Sequence, residues 1–253
     1  MKRSVIIICV LLFCACTKKE IAPTSTVVRI NFTHNWDGTS VSNSDFNTIQ
    51  YTNAFGTNLS IEKLRYLISN ISFENQNGKK TIVKAYHLID VSKEETMSFT
   101  TALEIPVGIY KNVSITFGFN ITDNIDGEYI DLNSASWNVP GMLGGGYHFM
   151  QLEGKFTDAT PTDIGYQYHV IRAVDRSGAT PSFTETFIEK NLGELAVNPN
   201  AEIEIKMNIA EWFKNPTTWD LNTLHSMLMP NYNAQILMNG NGQNVFSLGS
   251  VNP

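Results

Sequence analysis

The stretch Ala201-Glu202-Ile203-Glu204-Ile205-Lys206-Met207-Asn208-Ile209 alternates apolar and polar side chains without interruption. A period of two places Ile203, Ile205, Met207 and Ile209 on one face of a strand and the polar residues on the other, so one face is buried and the other is wet. Working outward, the same signal recurs along the chain. Residues 27–32 alternate, and His34-Asn35-Trp36-Asp37-Gly38 reads as the turn that follows. A short strand is expected at 48–52. Residues 64–73 are rich in β-branched and aromatic types, and Asn75-Gln76-Asn77-Gly78-Lys79 is a hairpin turn returning into a strand at 81–90. Further strands are expected at 97–105, 110–119, 149–156, 166–174 and 183–189. Loop chemistry dominates 121–146.

The C-terminal part changes character. Asp220 is a helix N-cap, and Leu221, Leu224, His225 and Leu228 follow at helical spacing until Pro230. A second short helix is expected over 233–238, then a last strand or docked tail at 244–248. Trp212-Phe213 and Trp219 are expected to clamp these helices onto the strands. Many short strands at regular spacing, without repeat or linker, predict an all-β fold: an antiparallel β-sandwich with a small C-terminal helical appendix.

The first residues form a targeting segment. Lys2 and Arg3 precede an apolar run from Val5 to Ala15, shorter than the ~20 residues that span a bilayer. It ends in Leu12-Phe13-Cys14-Ala15-Cys16, which resembles a bacterial lipobox with Cys16 as the lipidated residue. The organisation expected is therefore a lipoprotein signal peptide over 1–15, a tether over 16–25 and one domain over 26–253. The location expected is the bacterial cell envelope, as an outer-membrane lipoprotein facing either the periplasm or the surface. All three cysteines, Cys9, Cys14 and Cys16, lie in this segment, so the domain holds none for a disulfide or thiolate metal site. Without Lys2 and Arg3, sixteen of the 18 basic residues face 24 acidic ones, and no basic run exists. This excludes a nucleic-acid partner.

Chemistry concentrates in two places. Gly144-Gly145-Gly146-Tyr147-His148-Phe149-Met150-Gln151-Leu152-Glu153-Gly154 sets an imidazole and a thioether two residues apart after a glycine run. On a strand His148 and Met150 would project together, and Tyr166-Gln167-Tyr168-His169-Val170 on a paired strand would bring His169 beside them. Histidine and methionine suit copper, with His34 as a third nitrogen. The plainer alternative is that these are ordinary inward-facing strand residues. The second place is Asp123-Asn124-Ile125-Asp126-Gly127-Glu128-Tyr129-Ile130-Asp131, whose oxygens around a turn glycine suit calcium, without the EF-hand spacing. Its alternative is a solvated acidic loop. No G-x-S-x-G, H-E-x-x-H or phosphate-binding glycine motif occurs, and the spacing of Glu153 and Asp131 gives no reason to pair them as glycosidase carboxylates. The expectation is a non-catalytic protein.

Three blocks resemble the MbnP-like copper-binding domain family. Leu64-Arg65-Tyr66-Leu67-Ile68-Ser69-Asn70 is similar to its L-R-Y-x-x-S-N strand. Gly146-Tyr147-His148-Phe149-Met150-Gln151-Leu152-Glu153-Gly154 is similar to its G-Y-x-F-x-x-L-E-G strand, and Tyr168-His169-Val170 to its F-H-I-G segment. The resemblance implies a β-sandwich holding one copper ion through histidines. It also implies a contribution from an oxidised tryptophan and a partner: a di-haem peroxidase-like enzyme or an outer-membrane transporter. His169 takes the position of the family's histidine. Asn124-Ile125 stands where the family has an Asn-His pair, and Gly141 and Leu143 where it often has tryptophans. His148 is the residue available to replace the lost imidazole. The function expected is copper acquisition or handling at the envelope. The alternative is an envelope binding module of the same fold that has lost its metal and works through protein or ligand contacts.

Overall fold

The structure is a computed structural model, and it describes residues 24–157 and 162–252. The signal peptide, the lipidation residue Cys16 and most of the tether lie outside the described residues.

Two sheets of nine and five strands enclose one core. Lys63–Asn75 is the axis of the larger sheet. Along one edge it pairs with Lys80–Asp90, and its other edge is shared by Met150–Thr157 and Gly108–Phe117. Met150–Thr157 then pairs with Asp163–Val170. In the smaller sheet Glu202–Asn208 lies between Arg29–Trp36 and Phe246–Asn252. Its alternation is realised as read: Ile203, Ile205 and Met207 are fully buried, while Glu202, Glu204, Lys206 and Asn208 stay at least partly in solvent. Its pairing with Arg29–Trp36 is parallel, an exception in a fold otherwise paired antiparallel among the described strands. Phe32, His34 and Phe246 of the smaller sheet meet Tyr66 of the larger one, which makes the pair a sandwich.

Some boundaries differ from the sequence reading for identifiable reasons. The first long strand runs through His34 to Trp36, and only Asp37 and Gly38 turn the chain, both at positive φ, as a two-residue hairpin requires. The expected helix after Asp220 does not form. Asp220 accepts from the Asn222 N–H, as an N-cap does, but the Trp219 indole takes the Leu224 carbonyl that the next helical turn needs. The helix that does form is Tyr232–Gly242, capped by the Asn231 side chain on Ala234 N–H. Trp212, Phe213 and Trp219 pack around Tyr168, as a clamp on the Asp163–Val170 strand. The final strand extends over Phe246–Asn252. No helix among the described residues is long and apolar enough to cross a membrane.

Candidate metal centre

Register fixes which side chains share a face. Gln151 lies opposite His169 and Arg65, while Met150 lies opposite Val170 and Tyr66. Neighbouring residues on a strand alternate faces. His169, Gln151, Glu153 and Arg65 therefore occupy the outer face of the larger sheet. Met150, fully buried, faces the core between the sheets.

His148 sits with the outer group. Its ring centroid is 5.5 Å from that of His169, at an interplanar angle of 83°. The expected projection of His148 with Met150 thus fails, because the regular strand begins only at Met150. Before it, Gly144, Gly145 and Gly146 all have positive φ, and Tyr147 pairs with Asn138 in an isolated bridge. His148 itself lies outside the strand, so the period of two does not carry back to it from Met150. His34 is likewise on the core side: with its strand extended, it falls in the inward row after Ile30 and Phe32. Its Nε2 lies 2.9 Å from the Tyr66 hydroxyl, and burial pushes its pKa down to about 3. So the structure brings His148 and His169 together, and leaves Met150 and His34 across the sheet.

Each of the paired imidazoles has one nitrogen committed. The Trp137 carbonyl accepts from both His148 N and His148 Nδ1, at 3.0 Å each. A carbonyl only accepts, so Nδ1 carries the proton and Nε2 the lone pair. Burial holds His148 at about 4, assisted by nearby His169 and Arg65 and opposed by the bond to Trp137. The ring is neutral at pH 7. His169 Nε2 lies 2.8 Å from Glu153 Oε1. The His169 bond, with Lys63 Nζ at 3.0 Å, holds the Glu153 carboxyl down at about 2 against the cost of its burial. An ionised carboxylate only accepts, so His169 donates from Nε2. Its Nδ1 is buried and has no hydrogen-bond partner.

Imidazoles that ligate metals characteristically donate their other N–H to a carboxylate or a backbone carbonyl. His169 and His148 have one of each. Trp137 closes the site: it is fully buried, its ring centroid is 5.6 Å from that of His148, and the Arg65 guanidinium lies 4.9 Å over it. Arg65 also bonds to Ala135 O and faces Asp90, which ties the 135–137 turn to the sheet. Spacing alone did not place Trp137 or Arg65 at the site. The available signal was Arg65 in the outward row of its strand. Among the described residues no group of three or more His, Cys, Asp or Glu side chains is arranged to hold a metal ion.

The 123–131 loop serves the same site differently from the calcium reading. Asn124 Oδ1 accepts from Tyr147 N–H at 2.9 Å and Asp126 Oδ1 from Gly146 N–H at 3.2 Å. Asp123 bonds to Asn70 and Asp131 to Tyr86. These oxygens go to four separate partners, two of which hold the chain just before His148. Gly146, at φ +75, leaves the space for Asn124: a Cβ there would lie 2.4 Å from Asn124 Oδ1.

This geometry defines a class: an all-β sandwich with a buried imidazole pair on the outer face of one sheet. The family model of MbnP matches residues 25–232, and the chain belongs to the MbnP family. Among solved structures, MbnP from Methylosinus trichosporium superposes with a TM-score of 0.54 at 12% identity, covering 89% of this chain and 98% of that one. At that identity the likeness concerns the fold. No match is found among curated proteins.

Proposed function

We propose that the chain is a lipid-anchored, non-catalytic protein of the bacterial envelope that holds copper between His148 and His169, for copper acquisition or handling. The observation that carries this reading is the pair of buried rings with centroids 5.5 Å apart, each with one nitrogen committed to an acceptor. His148 Nε2 and His169 Nδ1 are the nitrogens left to bind, and imidazole nitrogen suits copper. Bound copper would supply a redox-capable cation. The chain's own residues orient both rings, and Trp137 packs against that of His148. Family resemblance supports a di-haem peroxidase-like enzyme or an outer-membrane transporter as partner, and the lipobox-like end of the signal segment supports Cys16 as the lipid attachment point.

A second reading has one observation in its favour: among the described residues no group of three or more His, Cys, Asp or Glu side chains is arranged to hold a metal ion. On that reading the rings are structural and the protein is a metal-free envelope binding module. Copper content of protein purified from its native host separates the two. One copper per chain, lost in His169→Ala and in His148→Ala with the fold intact, is the expected result. Equal copper content in the wild type and the double variant would end the first reading.

A further inference from the structure

The described methionines fall into two groups. Met150, Met207 and Met238 are fully buried, and Met97 packs against the core. Met142, Met227 and Met229 all line one cavity of about 280 Å³, together with His169. Met142 is 80% exposed and Met227 74%, so neither is there to fill a core. They come from two segments far apart in sequence. Arg176 bonds to Met142 O and Arg172 to Gly144 O at 3.0 Å, which holds the first segment in place. Gln235, fully buried on the C-terminal helix, donates from Nε2 to His169 O at 2.8 Å and to Leu228 O at 3.0 Å. That one amide ties the segment bearing Met227 and Met229 to the strand bearing His169. Met227 is itself held at φ +55, a conformation a non-glycine residue adopts at a cost of ~1 kcal/mol or more.

Thioethers are soft, polarisable ligands that select monovalent copper. They carry no proton in water, so acid does not compete for them as it does for imidazole. We propose that Met142, Met227 and Met229 form a thioether site for Cu(I) beside His169, from which the ion passes to the imidazole pair. The identity of the metal rests on reading that pair as a copper site. The placement of the three thioethers does not.

Silver(I), a closed-shell soft monovalent ion, is the probe. It is titrated into full-length protein carrying ¹³C-methyl methionine, followed by NMR. The ε-methyl signals of Met142, Met227 and Met229 are expected to move while those of the four core methionines stay. The triple variant Met142→Leu/Met227→Leu/Met229→Leu keeps volume and apolarity, and its silver affinity at pH 5 should fall at least about tenfold. Still signals at the three methyls in folded protein, or unchanged affinity in the triple variant, would overturn the proposal. Thioether shifts in a chain whose histidines take up no copper would uphold this site and reject the imidazole pair as its destination.

Discussion

Glu153 Oε1 accepts a hydrogen bond from His169 Nε2 at 2.8 Å, while Lys63 Nζ lies 3.0 Å from both oxygens of the same carboxylate. The arrangement fixes which nitrogen of His169 can bind a metal, and it leaves the carboxylate charged far into acid. Glu153→Gln keeps an acceptor of the same shape but removes the charge that makes the imidazole a better donor. Copper affinity should fall roughly 10- to 100-fold. Competition against a chelator of known affinity measures this, with circular dichroism confirming an intact sandwich. Unchanged affinity would mean that Glu153 does not act through His169.

Two buried neutral histidines make the fold acid-sensitive. The folded-state pKa of His34 is about 3 and that of His148 about 4, against 6.5 in the unfolded chain. Between those values the unfolded state binds protons that the native state refuses. Stability is therefore fully present above pH 6.5 and is lost as pH falls toward 3 to 4. At 1.36 kcal/mol per pH unit, the full loss is about 5 kcal/mol from His34 and about 3 kcal/mol from His148. Urea unfolding at a series of pH values from 7.5 to 4.5 should show midpoints that fall steadily below 6.5. A flat profile over that range would contradict the neutral assignment of both rings.

The strands were legible because a period of two survives in a chain whose core is apolar and whose rims are polar. The 201–209 and 64–73 stretches carry that pattern almost undisturbed. What escaped were places where side chains override local preference. His34 looked like a turn residue because Asp37-Gly38 is so near, yet the buried contact with Tyr66 keeps it in the strand. The 221–228 helix was lost to the hydrogen bond from the Trp219 indole to Leu224 O, which no periodicity encodes. At the site, the neighbourhood of His148 and His169 could be read from two motifs on paired strands. The face could not be, because the regular strand begins only at Met150 and the alternation does not reach back to His148. Trp137, Arg65, Gln235 and the three cavity methionines meet the site only through long-range packing. Met227-Leu228-Met229 was the one local hint of the cavity.

Gly154 shows how a family motif can belong to the fold and not to the metal. A Cβ at this position would lie 2.1 Å from Ser60 O and 2.8 Å from the Tyr166 ring. Neither neighbour can yield easily. Ser60 O already accepts from the Tyr166 hydroxyl at 2.8 Å, and Ser60 N–H donates to Lys155 O at 2.7 Å. Gly154→Ala must therefore shift the junction of Met150–Thr157 with the 60–62 segment. The cost should be about 1–3 kcal/mol, as for overpacking elsewhere. In a domain of this size that lowers the melting temperature by roughly 2–10 °C. Because Gly154 touches neither His148 nor His169, copper bound per folded chain should stay as in the wild type. Thermal denaturation with metal analysis of the folded fraction tests both halves. A drop in copper without a drop in melting temperature would move Gly154 from the sandwich to the site.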